Sequence, residues 1–169
     1  MDAIEAILTR RSIRKYSNRI ISDNTIKQLL ETASSAPSAS NRQPWHYIII
    51  NDREKLDAVP NFHPYSQMLG NANIAILVCG DLHLEKFLGY LILDCSAATE
   101  NILIAAHAKG LGACWLGIYP REERISGIKK LFNLPENIIP ISLVSLGYPA
   151  EHKDREERYD EARVHYNKW

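Results

Sequence analysis

The chain has no net charge, no cysteine pair and no long uninterrupted apolar run, and each absence removes a class of function. Twenty basic and twenty acidic side chains cancel, so no global field draws the chain to nucleic acid or to a membrane surface. Any electrostatic function must be local. The three cysteines, Cys79, Cys95 and Cys114, are far apart and odd in number. Without a C-x-x-C pair, neither a zinc knuckle nor a redox dithiol is signalled. Each stands among apolar residues, where a free cysteine behaves as a small buried hydrophobe, and we assign them no role. The six histidines are equally dispersed; His107 falls on an apolar helix without a partner at ligand spacing, so no metal site is expected. Asp2, Glu5 and Thr9 break up Ile4, Ala6, Ile7 and Leu8, which leaves no signal-peptide core at the N-terminus. No apolar run reaches the ~20 residues that span a bilayer. The nearest, Leu88 to Ala108, contains Asp94, Glu100, Asn101 and His107. A cytoplasmic location is expected, with no membrane or nucleic-acid partner.

What is present is an ordinary globular composition. Of 169 residues, 46% are hydrophobic and 24% charged, enough for one domain with a sizeable core. Asp2 caps a first helix carrying Ile4, Ile7 and Leu8. Ser22 or Asp23 caps a second, with Ile26, Leu29, Leu30 and Ala33 on one face. Two prolines make helix unlikely across the small-residue loop Ala36 to Pro44. Strands are expected at Trp45 to Ile50, Ile74 to Cys79, Ala113 to Ile118 and Ile138 to Leu146. The segment Phe62 to Asn73 has no clear period.

From about Leu84 to Lys109 the pattern is helical and apolar almost all round, so this helix should be buried on most faces. In so small a chain a second subunit is a natural source of that cover. Pro120 should open one more helix, through Phe132. After Pro149 the composition shifts: residues 151–169 hold five basic and six acidic side chains, a net −1. Tyr159, Val164, Tyr166 and Trp169 are scattered among them. The division expected is a domain at 1–150 and an arm at 151–169 that packs on the domain or on a partner subunit. Helices followed by strands alternating with helices suggest an α+β fold, with a mixed central β-sheet flanked by helices.

One stretch carries chemistry. Arg10-Arg11-Ser12-Ile13-Arg14-Lys15-Tyr16 concentrates three guanidiniums, an ammonium and a serine hydroxyl, a donor set suited to phosphate. Taken alone it reads first as basic residues gathering at a helix C-terminus, a solvated face. Gly110 and Gly112 read as a helix stop before a strand; a dinucleotide-binding loop would need the reverse order. Asp94 and Glu100 read as groups that cap or cross-link backbone, not as an acid–base pair.

These stretches resemble the FMN-dependent nitroreductase family. The likeness is carried by Arg10-Arg11-Ser12-Ile13-Arg14 and by Pro37-Ser38-x-x-Asn41-Arg42-Gln43-Pro44-Trp45. It continues in Asp94-Cys95-Ser96-Ala97-Ala98-x-x-Asn101, Gly110-Leu111-Gly112-Ala113-Cys114-Trp115-Leu116-Gly117 and Leu146-Gly147-Tyr148-Pro149, and ends in Arg163-Val164-His165-Tyr166-Asn167-Lys168-Trp169. Each is weak alone, but together they span nearly the whole chain in the family's order.

The resemblance implies an intertwined homodimer of α+β fold with two FMN sites at the subunit interface. By the same resemblance, Arg10, Arg11, Ser12 and Arg14 grip the flavin phosphate and ribityl chain. Pro37, Ser38, Ser40 and Asn41 reach the ring from the other subunit. Leu116 and Gly117 present backbone near flavin N5 and O4, Gln67 lies near the pyrimidine edge, and Arg158, or failing it Arg155, returns to the phosphate. The implied activity is a ping-pong hydride transfer from NADH or NADPH through flavin N5 to an electron-poor small molecule such as a nitroaromatic or quinone. No side-chain nucleophile or base is required. Many members are longer and roof the acceptor site with extra helices. Here only Asp81 to about Phe87 separates strand from helix, so an open or small acceptor pocket is expected. One alternative is a flavin-consuming or reductive dehalogenating enzyme of the same fold, which relies on lid insertions this chain has no room for. The others are a non-catalytic FMN-binding redox sensor or flavin store, and an interaction module that binds an acidic partner without flavin.

Overall fold

A computed structural model describes all residues, 1–169. Five α-helices and four strands alternate along the chain: α1 Ala3–Thr9, α2 Asp23–Ser34, β1 Trp45–Ile50, α3 Arg53–Ala58, β2 Ile74–Asp81, α4 Leu88–Ala108, β3 Gly112–Gly117, α5 Glu122–Phe132 and β4 Ile138–Gly147. Local chemistry sets several boundaries. Asp2 accepts the Glu5 N–H at 2.9 Å and opens α1. Ser22 accepts from Thr25 at 3.3 Å and opens α2, satisfying donors that a helix start leaves unpaired. Pro120 stands before α5 in the turn and not at its first position, since Arg121 is the N-cap.

The four strands form one sheet in the order β1-β2-β4-β3. Every neighbouring pair is antiparallel, which corrects the expectation of a mixed sheet. A helix between two strands suggests a parallel crossover, but the segments holding α3 and α5 return the chain antiparallel to the adjacent strand, β1 to β2 and β3 to β4. Here α4 carries the chain past one position, and β4 fills the gap running the other way. The parallel contact that does occur is a single bridge, Ser12 to Ala113.

β2 and β4 are central and buried on both faces, so their residues split by the strand period of two. Ile74, Ile76 and Val78 face α2 and α4, with Leu91, Cys95, Ala98 and Ile102. Ala75, Leu77 and Cys79 face α5 and the 56–72 segment, with Leu56, Leu69 and Ile128. Each large aliphatic side chain fully buried this way contributes roughly 1.5–3 kcal/mol. Cys79, Cys95 and Cys114 are all buried and unpaired, and burial pushes the Cys79 and Cys95 thiols up to about 12.

α4 is long and apolar enough to cross a membrane by length and composition. Here it lies in the core, with Leu91, Ala98 and Ile102 wholly buried. Its other face leaves Tyr90 and Leu93 open, at 53% and 66% exposure. Ile4, Ile7 and Leu8 of α1 and the arm's Tyr159, Tyr166 and Trp169 are exposed as well. The arm begins firmly: Ala150 N–H donates to Lys15 O at 2.8 Å, and Glu151 accepts the Arg14 N–H at 2.6 Å. From Arg155 onward every residue is exposed.

Candidate active site

β3 is an edge strand, and its edge is where the site forms. Ile118 donates to Ile141 O at 3.2 Å, and an unbroken register runs from Gly112–Gly147 to Gly117–Ser142. In an antiparallel ladder that alternation turns the backbone groups of Ala113, Trp115 and Gly117 outward, away from β4. Two of these three residues are covered by other segments. Ala113 O accepts the Ile13 N–H at 3.0 Å, and Gly117 O accepts from His63 Nε2 at 3.1 Å and Arg124 Nη1 at 2.7 Å. Between these caps the strand edge of Trp115 and Gly117 faces a cavity of about 800 Å³. Unpaired strand edges invite a partner; this one is short, walled and open to something small and flat.

The segment 10–16 reaches that edge because two glycines make room. Gly112 and Gly147 pair directly across β3 and β4. A Cβ on Gly112 would lie 2.6 Å from Ile13 Cγ2, and one on Gly147 would lie 2.8 Å from the Tyr16 ring. Tyr16 is anchored further by its hydroxyl, 2.7 Å from both Ile13 O and Ser145 Oγ, and burial raises its pKa. Backbone contact this close lays Ser12 to Tyr16 extended along the sheet end, which carries Arg14 and Lys15 into the cavity wall.

That wall is strongly positive. Arg14, Lys15, Arg124 and Lys153 line the cavity with one carboxylate, Glu151; four cations less one anion leave +3. Glu151 is already committed: it accepts from the N–H groups of Arg14 (2.6 Å) and Lys15 (3.2 Å), with Lys153 Nζ 3.6 Å away. The Arg14 N–H bond, ahead of the nearby lysines, holds its carboxyl below the usual range. Lys153 also donates to Ser12 O at 2.7 Å. His63 is buried, and burial together with the Arg124 charge lowers its pKa, so near neutral pH it adds no charge.

Of the residues expected to hold a ligand, Arg14, Gln67, Leu116 and Gly117 line this cavity, and Ser12 borders it through Lys153. Arg10 pairs with Glu100 at 3.3 Å. Arg11 bonds Asp154 O and Glu156, and Arg158 bonds Glu156 at 2.8 Å. These three and Arg155 surround a second, smaller cavity of about 150 Å³.

Pro37, Ser38, Ser40 and Asn41 lie in the turn before β1, at the opposite edge of the sheet from β3. There Ala39 N–H donates to both oxygens of buried Asp94, at 3.1 and 3.2 Å, the capping role read for that residue. Ser40, Asn41 and Gln43 adopt left-handed φ of 52°, 53° and 48°. Gln43 N–H bonds Ser38 Oγ at 3.0 Å, and Arg42 pairs with buried Glu85 at 3.4 Å. One chain thus separates the two halves of the expected site by the width of its sheet.

Lys15, a member of the basic cluster to which the resemblance gives no role, also lines the cavity, as do His63, Asn71, Arg124 and Lys153, which carry no sequence signal. Lys15 reads as a solvent-facing charge. His63 and Asn71 sit in the aperiodic 62–73 segment, which follows a turn of 3₁₀ helix at Val59–Asn61 and contains another at Gln67–Asn71, with neither strand nor α-helical period. The short 81–87 connection leaves α4 to start at Leu88, with no inserted helix.

A family model described as the nitroreductase family matches residues 7–63 and 61–148. A chain from Methanothermobacter thermautotrophicus named "Putative NADH dehydrogenase/NAD(P)H nitroreductase" is 48% identical over 169 residues, covering 100% of this chain and 88% of its own. A crystal structure under the same name from Parabacteroides distasonis superposes with a TM-score of 0.95 at 38% identity, covering 99% of this chain and 98% of its own. A "putative nitroreductase" of Desulfovibrio desulfuricans, solved in complex with FMN, has a TM-score of 0.87 at 28% identity, covering 100% of this chain and 98% of its own. With matches running through both the β3 edge and the 10–16 segment that lines it, the chain belongs to the nitroreductase family.

Proposed function

We propose that the protein is an FMN-dependent NAD(P)H oxidoreductase that works as a homodimer on small electron-poor acceptors. The observation that carries this is the uncovered edge of β3 inside a cavity whose wall bears +3. A flat ring with a polar edge suits main-chain donors, and a phosphate carrying close to two negative charges suits the cations. The fit extends to Gly117, where an added Cβ would meet no atom within 4 Å, so nothing in the chain itself requires the bare wall there. The relative solved with FMN supports the same cofactor.

Within this reading Arg14 and Lys153 are the cations best placed for FMN, with Ser12 beside them. Arg10, Arg11 and Arg158 would join the phosphate side by leaving their carboxylate partners. Gly117 offers its backbone N–H to the ring and Gln67 an amide, whereas Leu116, whose backbone groups turn toward Leu143 of β4, contributes to the cavity lining only. Pro37, Ser38, Ser40 and Asn41 would come from the second subunit, because the fold sets them at the far sheet edge. The open apolar residues of α1 and α4 would be covered by the same association, and the arm, held to its own domain through Glu151, Lys153 and Glu156, would continue beyond Arg158 across the partner. When bound, FMN supplies two-electron chemistry, taking a hydride from NADH or NADPH and delivering the electrons to the acceptor in a ping-pong cycle. The chain's part is to bind, orient and polarise; no side chain need act as nucleophile or base.

The test is optical. Purified protein supplied with FMN should retain a flavin spectrum through gel filtration at the mass of a dimer, and anaerobic NADH or NADPH should bleach it. Protein that binds no FMN would sink the reading. Bound flavin that neither nucleotide bleaches would favour a sensor or store.

A further inference from the structure

Gly117 O is held by two donors from distant parts of the chain. His63 Nε2 arrives from the turn after α3 at 3.1 Å and Arg124 Nη1 from the first turn of α5 at 2.7 Å. A carbonyl oxygen has two lone pairs, so both are occupied. The histidine is 1% exposed. The carbonyl can only accept, so Nε2 carries the proton and the neutral ring leaves a lone pair on Nδ1. That nitrogen is buried and has no partner. An apolar side chain could fill the same space without stranding a polar atom, an omission that ordinarily destabilises. The ring is placed for the one bond it makes.

We infer that His63 and Arg124 are positioning residues for the cofactor. By drawing the Gly117 carbonyl toward α5 they fix the tilt of the last β3 residue, and with it the direction of its N–H into the cavity. In a strand the N–H and C=O of one residue point to the same side, so fixing one aims the other. Glycine here makes the aid necessary: without a side chain to pack, its peptide has more freedom than any other residue's would. The inference rests on the FMN reading, since the N–H needs a ring edge to meet.

Three variants of the full-length chain test it: H63L, H63Q and R124M. Each is titrated with FMN by fluorescence quenching, then mixed anaerobically with NADH or NADPH to follow bleaching. H63L and R124M should each weaken FMN binding or slow bleaching about tenfold, the size of one lost hydrogen bond to a charged or buried partner. H63Q, whose amide nitrogen reaches the same carbonyl, should stay within about threefold of the unaltered protein, a rescue that mere packing would not give. If H63L fails to fold, R124M on the half-buried arginine and H63Q decide. FMN binding and bleaching left intact in both H63L and R124M overturn the inference alone. So does H63Q behaving no better than a folded H63L. An unaltered chain that binds no FMN overturns the inference and the function together.

Discussion

Replacing Asp94 by alanine should loosen the turn at residues 38–43 and lower thermal stability by a calculable amount. The carboxylate is 6% exposed and both oxygens accept the same Ala39 N–H, at 3.1 and 3.2 Å. Hydrogen bonds to charged groups are worth about 1.5–3 kcal/mol, and alanine would leave the Ala39 donor without a partner. Against that loss stands strain held in the turn. Ser40, Asn41 and Gln43 have φ of 52°, 53° and 48°, and a non-glycine residue in the left-handed region costs on the order of 1–3 kcal/mol. A released turn recovers some of this, so the net loss should be about 2 kcal/mol. At roughly 2.1 cal/mol/K per residue, a chain of this length unfolds with about 350 cal/mol/K, which converts 2 kcal/mol to a fall in Tm of about 6 °C. Asp94→Asn keeps an acceptor oxygen and the shape, and should lose about half as much. Differential scanning calorimetry at one fixed protein concentration reads both variants, and tryptic cleavage after Arg42 reports the turn directly. A D94A midpoint within about 1 °C of the unaltered protein, or D94N as destabilised as D94A, would refute the reasoning.

Three further outcomes are expected. Arg14→Ala should weaken FMN binding about 5- to 30-fold, and by less at high salt because the contact is screened; fluorescence quenching at two ionic strengths checks this, with the sedimenting mass unchanged. Gly112→Ala sets a Cβ 2.6 Å from Ile13 Cγ2 and 2.8 Å from its Cβ, where little can yield. It should cost about 1–3 kcal/mol in a urea unfolding curve and displace the 12–16 segment from β3. Glu151 has its folded pKa lowered, first by the Arg14 N–H bond, so it binds protons more readily when unfolded. Its stabilisation is complete above the ordinary carboxylate range and is lost as pH falls through its lowered value. A plot of Tm against pH should fall less steeply on the acid side for E151Q than for the unaltered protein; parallel acid limbs would contradict the assignment.

Part of the candidate cavity was legible in the chain: Arg14, Gln67, Leu116 and Gly117 line it, although no single piece was legible by itself. The cluster Arg10 to Tyr16 reads by itself as a basic helix end, and as a phosphate clamp only through the resemblance. The structure divides it by role: Arg14 and Lys15 face the main cavity, Arg10 and Arg11 pair with carboxylates, and Ile13 and Tyr16 pack over two glycines. Lys15 reads as solvent-facing because its neighbours in sequence say nothing of a wall built from Lys153 and Glu151. The Pro37 to Asn41 loop joins α2 to β1, and its left-handed turn is held by a carboxylate from α4, which the loop's own sequence does not reveal.

The sequence by itself determined most of the elements and several of their ends, though not the start of α5 or the 3₁₀ turns near residues 59–71. β1 at Trp45–Ile50 and the capped starts of α1 and α2 follow from apolar period and capping residues, which act over a few positions. The buried character of α4 follows from its composition in the same way. Tertiary structure decided the direction of the strands, the exposed edge of β3 and the burial of His63. Strand order depends on where each crossover lands, and the His63 bond closes on a carbonyl 54 residues away. Local propensity carries no information over that span. The cavity exists because β3 ended at the sheet edge with its outward groups capped at Ala113 and Gly117 and open between them, an outcome of packing that periodicity does not encode.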